Sequence, residues 1–464
     1  MAKSSSAPYG SAVSAAQRLA PETRRLLTLA WPVVLTSLNW TLLHVTDVAV
    51  VGLVSDAQVA VLAGSRALTF VTIVAALGAM SGILVNTARA DGAGDLPATG
   101  QVLRDGLVLA LVLGLGLAAV MALFAAPMLR LVGVAAPLID ATAGVVRLFA
   151  LAFPFQLIII AVSFFLEGVS RPARVTAINL ATLPVNAVLA WALSGGHLGL
   201  PAMGAAGAAL ATGIASMLGA AGMLGAAWTL PRARARGVRT MSAAAWAGAP
   251  RRALALLGFG LMPGIASALE LAGFSILIAL STRLGDQAAH AFQIVFSIHN
   301  VTFSVAMGLG SAAGVRVGNA VGEGTPDAAR ARALIAAAIT AGAMGAIALV
   351  LMIAAVPIAA LLPASAAVHR LAAAMLLLWA PFILFDGLQL VFVYALRSLG
   401  DQVAAGAISI FAYFVLTGGL GLALVGQGWG ATGLVIASGA GMLAAGLLQG
   451  ARFGWISRPG RRQS

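Results

Sequence analysis

Apolar residues run in long blocks along this chain. Stretches of about 20 residues or more suffice to carry a helix across the hydrocarbon of a bilayer. Such stretches recur between short polar or Gly/Pro-rich breaks. They predict twelve membrane-spanning helices, at 27–50, 58–86, 106–127, 138–165, 174–195, 203–229, 253–282, 290–315, 333–360, 371–396, 402–425 and 431–451. Several exceed what a bilayer requires, which implies tilt or extension beyond it.

Composition supports this reading. Of 464 residues, 61% are hydrophobic and 9% charged, and the mean hydropathy is +1.01. A soluble protein carries about 25% charged residues, so an all-α integral membrane protein is the class that fits. Abundant Gly and Ala suit helices that pack closely in lipid. The absence of Cys excludes thiol catalysis, disulfides and thiolate metal sites. Residues 1–26 are basic but hold no apolar core before a cleavage site, so they read as a cytoplasmic tail and not a signal peptide.

The net charge of +13 is explained by its placement. With the N-terminus inside, 22 of the 27 Lys and Arg residues fall in the tails and the even-numbered loops. Arg66, Arg130, Arg147, Arg283 and Arg370 remain for the other side. The positive-inside rule then places both termini in the cytoplasm of a multi-pass protein of the cell membrane. The run PRARARGVRT, 231–240, is read as a topology signal that meets anionic headgroups, and no nucleic-acid partner is expected.

The chain repeats itself. WPVVLTSL and LMPGIASA place Pro32 and Pro263 231 residues apart. LVSDAQVA and RLGDQAAH place Asp56 and Asp286 230 apart, and Gly92 and Gly94 match Gly322 and Gly324 at the same offset. Pro154-Phe155 and Pro381-Phe382 are 227 apart. Two homologous six-helix halves follow, related by an axis along the membrane normal. The expected division is a tail at 1–26, an N-lobe at 27–229, a basic cytoplasmic linker at 230–252, a C-lobe at 253–451 and a cytoplasmic tail at 452–464.

Few ionisable groups interrupt the spans: Asp47 in the first, Glu270 in the seventh and Asp386 in the tenth, with Arg66 and Arg147 nearer the outer ends. Intramembrane acids are functional candidates by default. Glu270 and Asp386 reach similar depth within one half and can be brought together. Burial and a like-charged neighbour both oppose ionisation, so at least one of the two is expected to hold a proton or a cation at neutral pH. Asn39, Gln156, Asn186 and Gln389 could line an aqueous cavity or bond one helix to another. His44, His290 and His299, inside or near the ends of spans, are weaker candidates.

The segments VTDVAVVGLVSDAQVAVLA, VGNAVGEGTPDAAR, LPAMGAAGAALAT and FDGLQLVFVYALRSLGD resemble the multidrug and toxic compound extrusion family, and the likeness runs from about residue 27 to 450. It implies twelve helices in two lobes and an antiporter that expels organic, often cationic compounds as protons or sodium ions enter. Glu270, Asp386 and Asp47 match acidic positions tied to ion coupling in the NorM-type branch, and Asn186 matches a fifth-helix asparagine. Ala190 stands where some relatives have an aspartate. Phe382 stands where some have a tyrosine whose hydroxyl helps hold sodium, which tilts the expectation toward protons. A sodium ion, if carried, would sit transiently at Glu270 and Asp386, with no fixed metal and no cofactor.

The resulting expectation is alternating access by a monomer in the bilayer. Small organic substrates would lie against apolar walls that include Asn39, Gln156, Asn186, Phe382 and Gln389. A flippase or exporter of a lipid-linked precursor, or of one metabolite, is the alternative, disfavoured by the acidic central charges. No HExxH, GxSxG or P-loop motif is present, so neither an enzyme nor an ATP-driven pump is expected.

Overall fold

The computed structural model describes residues 15–458. Parts of the two expected tails, 1–14 and 459–464, lie outside the described residues. Eleven helices are long and apolar enough to cross a membrane, and a bent pair supplies a twelfth span. In chain order they are α1 (Ala15–Gly52), α2 (Asp56–Gly92), α3 (Leu96–Leu131), α4 (Ala136–Gly168), α5 (Pro172–Gly195), α6 (Ala205–Trp228), α7 (Ala249–Arg283), α8 (Asp286–Gly322), α9 (Pro326–Ile353), α10 (Ala366–Leu399), α11 (Gln402–Gly426) and α12 (Gly430–Ile456). Each expected span falls on one of them.

The ends differ in places, for physical reasons. α1 starts at Ala15, within the stretch expected as a tail, because Glu22 in its second turn is gripped by Arg316 of α8. The ninth span ends at Ile353 and not at 360, since Pro357 cannot follow the carbonyl four residues before it. A short helix at Ala355–Ala359 comes next. Pro154 and Pro381 mark matching breaks. α4 bends by 45° between Ala150 and Phe153, and α10 tightens to a 3-10 turn at Ala380–Phe382. Ser55 and Asp95 cap α2 and α3 by accepting from the amides of Gln58 and Ala98. Gly94 and Gly324, a repeat pair, both turn the chain with positive φ, at 72° and 68°.

Helices α1–α6 pack as one bundle and α7–α12 as another. α1 lies against α5, and α7 correspondingly against α11. The bundles meet crosswise, α1 on α8 and α2 on α7. The 230-residue offset carries one contact into its counterpart. A Cβ at Gly92 would strike the backbone of Asn319, and one at Gly322 the backbone of Arg89. Gly78 lies against Pro263 and Gly264, while Gly308 lies against Ala30 and Val34, on either side of Pro32. Large apolar side chains such as Leu123, Ile353 and Leu447 stay exposed on the outside, where lipid is the solvent.

The lobes are tied at one end. Among the described residues, every cross-lobe hydrogen bond lies where α1 and α7 begin and α2, α4, α8 and α10 finish. Arg316 donates twice to Glu22, at 2.6 and 2.8 Å, and Asn319 Nδ2 donates to the Ala88 carbonyl at 2.9 Å. Arg89 reaches the Ser398 carbonyl at 2.8 Å, and Ser311 donates to Glu167 at 2.7 Å. The basic linker docks at this end too. Arg236 pairs with Asp91 at 2.7 Å and Arg252 with Asp105 at 2.8 Å, while Arg232 and Arg234 stay exposed.

Candidate functional site

In the C-lobe, Asp386 lies one turn beyond the Pro381 break and is buried at 1% exposure. Its Oδ1 accepts a hydrogen bond from Tyr413 at 3.0 Å. Its Oδ2 is buried with no partner within hydrogen-bond distance; His299 Nδ1, also unpartnered, stands 4.0 Å away. Rings of Phe274, Phe296, Phe303 and Trp379 surround His299. Glu270 on α7 is half-buried and lies three residues before Gly273, which abuts the Tyr413 backbone. Tyr413 thus joins the helix that carries Glu270 to the Asp386 carboxylate. Such a place holds a proton or a small cation more readily than two bare charges.

Tyr413 was not singled out in the sequence. It lies where α11 winds as a π-helix, Ile410–Gly418. That wider winding recurs at functional sites because it re-aims side chains. It restores to Asp386 the hydroxyl that Phe382 lacks. Phe382 itself packs on Gly439 of α12, so closely that a methyl there would overlap the ring. Gln389 is buried, with Oε1 unpartnered.

In the N-lobe, Asp47 is fully buried and fully engaged. Arg66 Nη2 donates to its Oδ2 at 2.8 Å, Asn186 Nδ2 to its Oδ1 at 2.8 Å and Thr212 to Oδ2 at 3.4 Å. Arg66, read from the sequence as lying nearer the outer end of its span, is the partner of Asp47. Beside this pair lies a cavity of about 100 Å³, lined by Asn39, Gln156, Asn179 and the rings of Trp40, Phe70 and Phe153 among others. Of the five expected cavity residues, Asn39 and Gln156 line it. Asn186 stands behind it on Asp47, and Phe382 and Gln389 belong to the other lobe.

Glu167, at the end of α4, is a further acid that the sequence reading passed over because the fourth span was ended at 165. It is 6% exposed and bonds Ser311 across the lobe boundary. A buried carboxylate between the lobes is a candidate for control of that boundary, and its only sequence signal is its place before the break at Gly168.

Comparison with known proteins agrees with this architecture. The profile of the family described as MatE matches residues 32–192 and 264–422, one stretch in each bundle. The chain is 32% identical over 448 residues to a NorM protein of Deinococcus radiodurans, named a probable multidrug resistance protein, covering 95% of this chain and 97% of that one. It is 29% identical over 407 residues to the multidrug resistance protein PmpM of Pseudomonas aeruginosa, covering 87% and 83%. The fold matches that of the eukaryotic MATE transporter AtDTX14 with a TM-score of 0.83 at 21% identity, over 94% and 96% of the two chains. It matches an outward-facing MATE family transporter with a TM-score of 0.82 at 19% identity, also over 94% and 96%. With two matched repeats, twelve spans and acids inside them, this chain belongs to the MatE family of multidrug and toxic compound extrusion transporters.

Proposed function

We propose that this transporter is an antiporter that exports organic, mainly cationic compounds in exchange for protons, with Glu270 and Asp386 as the coupling groups. The observation that carries this reading is the Asp386 carboxylate. One oxygen is held by Tyr413, the other is buried with no partner, and Glu270 lies three residues from the Gly273 that abuts Tyr413. Such a group is left poorly satisfied while charged, so its occupancy responds to a change in packing. Taking up a proton removes the negative charge that holds a cation and so favours release of the compound. Discharge on the other side restores it.

Tyr413 removes the ground on which the sequence favoured protons, since Asp386 keeps a hydroxyl. The choice rests instead on the surroundings: the aromatic rings about His299 fill much of the space in which a hard cation would need several oxygens. The positive-inside pattern assigns the tied end of the lobes to the cytoplasm, so the protein as described faces outward. Both termini then lie in the cytoplasm, and the bilayer is the inner or plasma membrane.

The test is transport of a cationic dye by proteoliposomes, first under a pH gradient without sodium, then under a sodium gradient without a pH gradient. Transport driven by pH alone and lost in Glu270→Gln supports the reading. Transport that needs sodium overturns the ion, and normal export by Glu270→Gln overturns the site.

A further inference from the structure

The two seams between the lobes are not alike. In one, α1 sits on α8, where Gly308 lies against Ala30 and Val34, and α9 forms a third wall. Between them runs a groove of about 910 Å³, lined by Leu27, Trp31, Val305, Leu309, Ile339 and Ala343 among others, with Thr23 and Arg24 toward its cytoplasmic end. In the other seam, α7 and α3 take the places of α1 and α9. At the 230-residue offset, Leu109 stands for Ile339 and Leu113 for Ala343. Leu109 is buried, Leu113 packs on the core, and Arg252 ties α7 to α3 through Asp105. The alanine opens in one seam a space that the leucine occupies in the other.

The dimensions and charge of the groove narrow what can fill it. Ten residues part Arg24 from Val34, a rise of about 15 Å along α1. That is half of a hydrocarbon core of about 30 Å, the depth of one leaflet. The groove opens sideways to lipid, since Leu27 and Trp31 are 48% and 53% exposed. At its mouth Glu22 is committed to Arg316 and Arg332, and Glu323 to Arg332. Arg24 is exposed and pairs with no carboxylate among the described residues. An apolar channel one leaflet deep, ending in a guanidinium without a counter-charge, matches an acyl chain that ends in a phosphate.

We propose that this groove holds one acyl chain of an anionic glycerophospholipid of the inner leaflet, with its phosphate on Arg24, and that the lipid stabilises the state in which the lobes are tied. α1 belongs to one lobe and α8 and α9 to the other, so the walls stay together only while that end is closed. A ligand that binds one of two states better shifts the balance toward it. The leaflet and the shift rest on the topology and the export cycle proposed above. Binding itself requires neither, because vesicles with the lipid in both leaflets present it to either end of the chain.

The experiment reads Trp31 in proteoliposomes of phosphatidylcholine, into which phosphatidylglycerol or phosphatidylcholine with brominated acyl chains is titrated. Bromine quenches indole fluorescence on contact. The chain has 8 Trp, so the signal is the part of the quenching that Trp31→Phe removes. Brominated phosphatidylglycerol should quench it at about fivefold lower mole fraction than brominated phosphatidylcholine, the effect of one arginine near an anionic headgroup. Arg24→Gln, a change at an exposed side chain, should make the two lipids equal. Ala343→Leu, which copies Leu113, should lower the Trp31 quenching by both. If Ala343→Leu does not fold, Arg24→Gln still decides. Spin labels at Leu53→Cys and Gln287→Cys, one on each lobe at the untied end, read the state. Phosphatidylglycerol should shift them to longer distances with Arg24 in place and not in Arg24→Gln.

Equal quenching by the two lipids, or a preference that survives Arg24→Gln, means ordinary bilayer contact only and overturns the proposal. So does undiminished quenching in Ala343→Leu. Spin labels that do not move overturn the hold on the lobes. Loss of dye export with the quenching pattern intact fails the export reading and leaves this one standing.

Discussion

Tyr413 donates to Asp386 at 3.0 Å from the π-wound stretch of α11, and Gly273 of α7 lies directly against the Tyr413 carbonyl. The hydroxyl is therefore aimed by two helices at once. Tyr413→Phe removes one hydrogen bond to a charged group, worth roughly 1.5–3 kcal/mol. The expected outcome is folded protein whose dependence on the driving ion changes by about tenfold or more. Dye export measured against the size of the imposed gradient checks this, and an unchanged curve would remove Tyr413 from the site.

Gly273→Ala tests the same aim from the other side. Its methyl would overlap the Tyr413 backbone, so α7 and α11 must part. Export should fall at least as far as in Tyr413→Phe, with a lower melting temperature in detergent. Wild-type export by Gly273→Ala would show that the π-wound segment tolerates displacement.

Asp47→Asn alone should be worse than the same change made together with Arg66→Gln. The single variant leaves a buried guanidinium facing a neutral partner, and breaking such a pair costs about 3–5 kcal/mol. Melting temperatures of the two variants decide it. A single variant as stable as the double would mean that water reaches Arg66 freely.

Ser311→Ala strips Glu167 of its donor across the lobe boundary, a loss of roughly 1–3 kcal/mol from the tied state. The chain contains no Cys, so spin labels can be placed at Leu53→Cys and Gln287→Cys without removing native thiols. These positions lie at the untied end, one on each lobe. Ser311→Ala should shift their distance distribution toward shorter values as that end closes. An unaltered distribution would leave the Glu167–Ser311 bond without a part in setting the state.

Gly260→Ala probes the same equilibrium through backbone contact. Its Cβ would overlap the Ala79 carbonyl of α2. The same label pair should report fewer molecules with the lobes tied, and melting should drop. A neutral result would imply that α2 and α7 can shift apart at no loss.

Hydropathy alone placed twelve spans because a helix in lipid must be apolar on every side, and that signal survives any arrangement of the helices. The repeat was also legible, and its matched glycines Gly92 and Gly322 make reciprocal contacts that only the structure shows. Side-chain partners were not. Whether Arg66 reaches water or Asp47 depends on how α2 is rotated against α1, and an all-round apolar helix gives no clue to its rotation. Tyr413 was hidden twice over, since a π-wound segment changes which residues share a face. Phe382 shows a related limit: its match to a tyrosine in relatives suggested a lost oxygen, and the hydroxyl on Asp386 comes from Tyr413 of another helix. Glu167 was missed by two residues at a helix end, where boundaries are least certain.

The crossed seam of Gly78, Gly92, Gly260, Gly264, Gly308 and Gly322 has a mechanical consequence. Glycine has no rotamers to freeze, so a surface built from it can be separated and rejoined without its side chains having to find their places again. Resealing then waits on a few polar clasps and not on repacking. Under the export cycle proposed above, a joint of this kind opens and closes without the slow step of interlocking side chains.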